Sequence, residues 1–179
     1  MPRWMRQALA VAAVVLALAG AAAAQSTWEK FTHPQYGFSL RYPSDWEADA
    51  GKDPLVFLAV GPFVAGMNSF RININVVTET VPADLTVERY EALNESEMGL
   101  LFQGYRRLRT DRTTVGSVPA LLRYFTWRRN DGLELYQMQL NVVSRGRAYV
   151  VTGTTSTQSA QLEQEAELLV RILQTFRTR

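Results

Sequence analysis

Apolar and polar positions alternate from Phe38 to Tyr42 within the stretch YGFSLRYPSDW, residues 36 to 46. Phe38, Leu40 and Tyr42 are separated by Ser39 and Arg41, the period of two that marks a half-buried strand. Gly37 suits a tight turn at the strand's entry, because it tolerates positive φ. Pro43 has no N–H for a ladder and ends the strand. Ser44 and Asp45 are turn formers, and Trp46 is expected to fold back as an apolar lid on the strand end. Trp28 and Phe31 predict a partner strand just upstream.

The same alternation recurs from Leu55 to Val60 and from Phe70 to Val77, where Ile72, Ile74 and Val76 oppose Asn73 and Asn75. The period then changes. Val87, Tyr90, Leu93, Met98 and Leu101 fall at helical spacing and predict a helix capped by Asp84 or Thr86 and running to about Gln103. Glu88, Glu91, Glu95 and Glu97 are expected on its solvated side. A second helix is predicted over Thr157 to Phe176, with Leu162, Ala166, Leu169, Leu173 and Phe176 as its apolar stripe. Glu167 and Arg171 would support it as an i,i+4 pair, and Glu163, Glu165 and Glu167 would face solvent.

Tyr105 to Thr155 reads as an antiparallel meander of four strands turning at Val115–Pro119, Asn130–Gly132 and Ser144–Arg147. A two-residue Asp131-Gly132 loop would fix the register of the middle hairpin. Trp127 would then face Tyr136, Phe125 would face Met138, Leu121 would face Val142, and Arg129 would lie opposite Glu134. Arg123, opposite Leu140, does not fit the apolar face this makes and is expected near the sheet edge.

On the YGFSLRYPSDW motif, the strand–helix–meander–helix order and the closing LLVRILQTF (residues 168 to 176), the chain resembles the PsbP-like superfamily. That group includes the photosystem II protein PsbP, the Ran-binding Mog protein and DcrB-type exported proteins. The resemblance implies an α+β fold, an antiparallel β-sheet with helices packed on its faces in a PsbP-like α/β/α sandwich. It also implies a protein that works by binding rather than catalysis. It carries over no functional residue.

The first 24 residues stand apart from this pattern. Arg3 and Arg6 precede an apolar run from Ala8 to Leu18 and a run of small residues ending at Ala24. This is the form of a secretory signal peptide, too short for the roughly 20 apolar residues of a spanning helix. Residues 1–24 are therefore expected to be a leader cleaved before Gln25, with residues 25–179 a single exported domain, periplasmic or extracellular. There is no cysteine, so neither a lipid anchor at Ala21 nor a disulfide is available.

Without the leader the 19 basic residues fall to 17, equal to the 17 acidic ones, so the composition gives no reason to expect nucleic-acid binding. The charge is unevenly spread. Residues 25–104 carry 5 basic and 11 acidic side chains, a net of −6, and residues 105–147 carry 9 arginines against 3 acids, a net of +6. An antiparallel return brings Arg106 and Arg107 to the same sheet end as Arg128 and Arg129. These four are the candidate partner-binding residues, and an acidic protein or an anionic membrane surface is the expected partner.

Catalytic chemistry is poorly provided for. His33 is the sole histidine, and with no cysteine every Ser-His-Asp or Cys-His arrangement depends on it. It is expected on a surface loop. Asp45, Glu47, Asp49 and Asp53 cluster around a turn and offer at most weak calcium binding, without the spacing of an EF-hand. No catalytic residue, metal ligand or cofactor is assigned, and the reading is that the protein is not an enzyme. Two alternatives remain: an envelope small-molecule binder using an apolar cleft of Phe125, Trp127, Tyr136 and Met138, and a hydrolase working with carboxylates alone.

Overall fold

The computed structural model describes residues 27–179. The expected leader, and cleavage before Gln25, lie outside the described residues. The described residues form ten strands and two helices: β1 (Trp28–Thr32), β2 (Phe38–Pro43), β3 (Glu47–Asp49), β4 (Leu55–Phe63), β5 (Arg71–Thr80), α1 (Val87–Leu101), β6 (Arg106–Val115), β7 (Val118–Arg128), β8 (Glu134–Ser144), β9 (Arg147–Ser156), α2 (Leu162–Gln174) and β10 (Arg177–Thr178). A seven-stranded sheet has the order β3-β4-β5-β9-β8-β7-β6, and a three-stranded sheet the order β1-β2-β10. All pairings are antiparallel. The architecture is an α+β sandwich, as the sequence pattern indicates.

One face of the large sheet is covered by α2 and the small sheet together. The alternation in β2 buries Phe38, Leu40 and Tyr42 against Phe57, Tyr149 and Phe176, while Ser39 and Arg41 point away. α2 lies close over β9 because Gly153 has no side chain; a Cβ there would sit 3.0 Å from Leu169 Cβ. Trp46 is 6% exposed, so it does close the core as its place in the motif implies. Gly37 has φ +65°, which accounts for a glycine at that turn.

The other face carries Asn73 and Asn75 from β5, Thr152 and Thr154 from β9, Gln137, Gln139 and Asn141 from β8, and Arg123 from β7. It is mostly polar, and α1 lies over it. Thr86 caps α1, its hydroxyl accepting from Arg89 N at 3.2 Å. The helix buries Val87, Tyr90 and Met98 of the expected stripe together with Glu91, and leaves Leu93 and Leu101 exposed.

The middle hairpin differs from expectation by one residue. Gly132 N donates to Arg129 O and Arg129 N to Leu133 O, both at 2.9 Å, so the loop has three residues, Asn130, Asp131 and Gly132. Gly132 takes φ +88°, the left-handed position that such a loop requires. The extra residue moves every pair. Trp127 faces Leu135, Phe125 faces Gln137, Leu121 faces Asn141, Arg123 faces Gln139, and Glu134 lies opposite Arg128 rather than Arg129. A one-residue slip exchanges faces. Phe125 and Trp127 therefore lie on the α1 side, with Tyr136 and Met138 on the α2 side, and the four do not line one cleft.

The second helix is shorter than expected, because Ser156 and Ser159 form side-chain turns with Gln158 N and Gln161 N ahead of it. Glu167 and Arg171 form no ion pair. Glu165 does not simply face solvent; it accepts from Ala65 N at 2.9 Å and from Thr155.

Candidate functional site

The meander does bring the four candidate arginines to one end of the large sheet. Arg106 and Arg107 begin β6 opposite Thr126 and Phe125, and Arg128 ends β7 with its N–H bonded to Gln103 O at 2.8 Å. Period two then divides them. Arg106 lies opposite Thr126 and shares its face with Arg128, while Arg107 points to the α1 side.

Two of the four are already engaged. Arg107 Nε is 3.6 Å from Glu95, and Arg129 grips Asp131 through Nε at 2.9 Å and through Nη2. That grip, chiefly its hydrogen bonds, pulls the Asp131 carboxyl down to about 2. Arg106 and Arg128 form no ion pair among the described residues. Glu134, opposite Arg128, accepts instead from Thr157 Oγ1 at 2.8 Å.

On the α1 side of the same sheet end the last turn of α1 exposes Leu100 (87%) and Leu101 (70%), and the bulge in β6 exposes Leu108. The Gln103–Arg128 backbone bond joins the two elements. The sequence reading missed these leucines as surface, because it placed Leu101 in the core.

Under α1 lies a buried polar cluster that the sequence reading also missed. Arg123 is no edge residue; its side chain is 1% exposed. Its Nη1 lies 3.0 Å from Glu95 Oε2 and 3.2 Å from Glu91 Oε1, and Nη2 donates to Gln139. Tyr105 donates to Glu95 at 2.8 Å, and Asn141 Nδ2 to Glu91 at 2.7 Å. Burial raises the Glu91 carboxyl above its ordinary value, against the pull of Arg123. Burial and the bond to Glu95 push the Tyr105 phenol up to about 12. Glu91 and Glu95 thus belong to the interior, not to a solvated helix side. The one signal in the sequence was the misfit of Arg123 itself.

His33 is buried, not a surface residue. Its Nδ1 accepts from Gln35 N at 3.3 Å and Tyr36 N at 3.2 Å, so it shapes the turn before β2. Burial holds its pKa below the ordinary value. In the acidic turn cluster, Glu47 is taken by Arg71 at 2.8 Å and Asp53 by the Tyr36 hydroxyl. Among the described residues no group of three carboxylate or histidine side chains is placed to hold a metal ion. No described helix is long and apolar enough to cross a membrane.

This arrangement, helix and small sheet on one side of a long antiparallel meander and a capping helix on the other, is a PsbP-like fold. The chain belongs to the serine/threonine kinase C-terminal domain family, whose model it matches over residues 30–178. Its fold is similar to the solution structure of cyanobacterial PsbP (CyanoP) from Synechocystis sp. PCC 6803, with a TM-score of 0.66 at 10% identity, covering 88% of this chain and 96% of that one. LpqN of Mycobacterium tuberculosis, involved in cell envelope biogenesis, gives 0.60 at 15% identity, covering 86% and 91%. The Ran-binding protein Mog1p of Saccharomyces cerevisiae gives 0.58 at 9% identity, covering 86% and 96%. At these identities the likeness is one of fold. No curated protein matches the chain.

Proposed function

We propose that the chain is an exported, non-catalytic binding module that docks an acidic protein surface. The observation that carries this reading is the sheet end where Arg106 and Arg128 form no ion pair among the described residues, and to which the Gln103–Arg128 backbone bond ties the α1 end with exposed Leu100 and Leu101. Arginine next to apolar side chains is the composition of protein interfaces, whereas a purely basic face would suit an anionic membrane. The family supports an accessory rather than catalytic role, since its description is that of a domain C-terminal in serine/threonine kinases. The fold's presence in a Ran-binding protein and in an envelope-biogenesis protein supports contact as its mode of action and an envelope location.

The structure sharpens the choice of variants. Changing Arg107 or Arg129 breaks internal pairs, so Arg106→Gln with Arg128→Gln is the cleaner change. Crosslinking in the exported fraction should give a partner adduct with the parent that is weakened in this double variant and by added salt. The loss should fall mainly on the association rate. An undiminished adduct, or capture of anionic vesicles in its place, refutes the acidic-protein reading.

A further inference from the structure

A second concavity lies on other elements. Where the outward face of the β1–β2–β10 sheet meets the last turn of α2 there is an open groove of about 560 Å³. Its lining includes Lys30, Arg41, Arg171 and Arg177, flanked by Trp28 and Thr175, and contains no carboxylate.

The register makes these cations costly. Lys30 and Arg41 are direct cross-strand partners on β1 and β2. Arg177 on β10 lies opposite Ser39, which shares a face with Arg41. Three adjacent strands thus present like charges to one solvent face, and like charges set opposite each other destabilise a sheet. An interleaved acid would relieve this, but Glu29 falls on the other face, opposite Tyr42. Among the described residues none of the four cations forms an ion pair.

The end of α2 explains part of the pattern. Arg177 Nη1 donates to the carbonyls of Gln174 and Phe176 at 2.7 Å, and cations suit a helix C-terminus. That reason does not extend to Lys30 and Arg41 on the strands. The walls are also fixed in advance, because Arg41 N donates to Thr175 Oγ1 at 2.7 Å and ties β2 to the helix end.

We infer that this groove binds a multiply charged oxyanion, a phosphate ester or polyphosphate carried by a soluble molecule. A single carboxylate would leave most of the four charges unbalanced. A bilayer would need the cations spread over a convex face, and here they converge in a hollow. The site stands apart from the arginine end and does not depend on it.

Inorganic pyrophosphate is the probe, titrated by calorimetry at constant ionic strength with sodium chloride as the control. The parent should bind it, with a change in Trp28 fluorescence that Trp28→Phe removes while the heat remains. Arg41→Gln and Arg177→Gln should each weaken binding about tenfold, the worth of one charge-assisted hydrogen bond. Arg41→Gln should keep or raise the thermal midpoint, because it removes a repulsion. Lys30→Gln repeats the test should Arg41→Gln fail to fold. Arg106→Gln with Arg128→Gln should leave pyrophosphate binding unchanged, which separates this site from the protein-docking one. The proposal is overturned if the parent gives no heat beyond the chloride control, or if the groove variants bind like the parent. It is equally overturned if phosphatidylglycerol vesicles, and not pyrophosphate, bind in an Arg41-dependent way.

Discussion

Replacing Arg123 with methionine is expected to be among the most damaging single changes in the domain. The side-chain exposures of Arg123, Glu91 and Glu95 are 1%, 10% and 28%, so this cluster is mostly out of water. Methionine keeps the volume of the arginine stem but removes the only cation paired with Glu91 among the described residues. Two carboxylates four residues apart on one helix face are then left to repel each other in a poorly solvated site. Removing one partner of a buried ionic group costs about 3–5 kcal/mol, against about 1 kcal/mol or less for an exposed pair. In a domain of this size that is a fall in thermal midpoint on the order of 10 °C.

The loss should depend on pH. Glu91 already has a folded pKa raised above its ordinary 4.5, so its contribution is most favourable below that value and is lost as pH rises through the folded pKa. Without Arg123 the folded pKa rises further, and the variant should regain stability on acidification from neutrality. Urea melts at several pH values measure this directly. Glu91→Gln should cost little, because Glu95 still holds Arg123 and the amide oxygen still accepts from Asn141. A variant within about 1 kcal/mol of the parent at neutral pH would show that the cluster behaves as a solvated surface pair, and the argument would fail.

Trp46→Ala should cost about 3–5 kcal/mol by urea melt, and Gly61→Ala should also destabilise because a Cβ there would lie 2.4 Å from Trp46 Cε2; an unchanged midpoint in either removes the lid reading. For His33 the lowered pKa means that the unfolded chain binds the proton more readily, so stability should fall as pH drops below the ordinary 6.5. His33→Gln should flatten that acid limb, and a limb of the same slope would count against a neutral buried imidazole. N-terminal sequencing of exported protein should return Gln25, and a Met1 start would show that the leader is retained.

Strand positions were legible because period two is a local property. Phe38, Leu40 and Tyr42, and Ile72, Ile74 and Val76, face the core as their spacing implies. The hairpin register was not legible from Asp131-Gly132 alone, since two- and three-residue loops can share those residues and only the Arg129–Leu133 bonds distinguish them. The arginine end could be read because an antiparallel return is a counting argument, but which arginines are free could not. That depends on Asp131 and on Glu95, the latter contributed by α1. The cationic groove was invisible for a similar reason: Arg177 reaches Arg41's neighbourhood only through the long-range pairing of β10 with β2.

The misread stripe of α1 has a single physical cause. Helical spacing alone favours Leu93 and Leu101 as core residues, but the surface beneath the helix interrupts its apolar positions, Val77 and Val150 among them, with Asn75, Thr152, Gln139 and Arg123. A leucine laid there would gain little burial and would leave a desolvated guanidinium without its counter-charge, a far larger loss. The helix therefore turns Glu91 and Glu95 onto Arg123, and the leucines that the apolar pattern would bury go to solvent. Leu100 and Leu101 then emerge at the helix end that the Gln103–Arg128 backbone bond ties to the arginine end of the sheet. On this argument the ionic cluster beneath α1 and the apolar surface at its end are two consequences of one packing choice, so a change that neutralises the cluster should also alter how the proposed docking surface is presented.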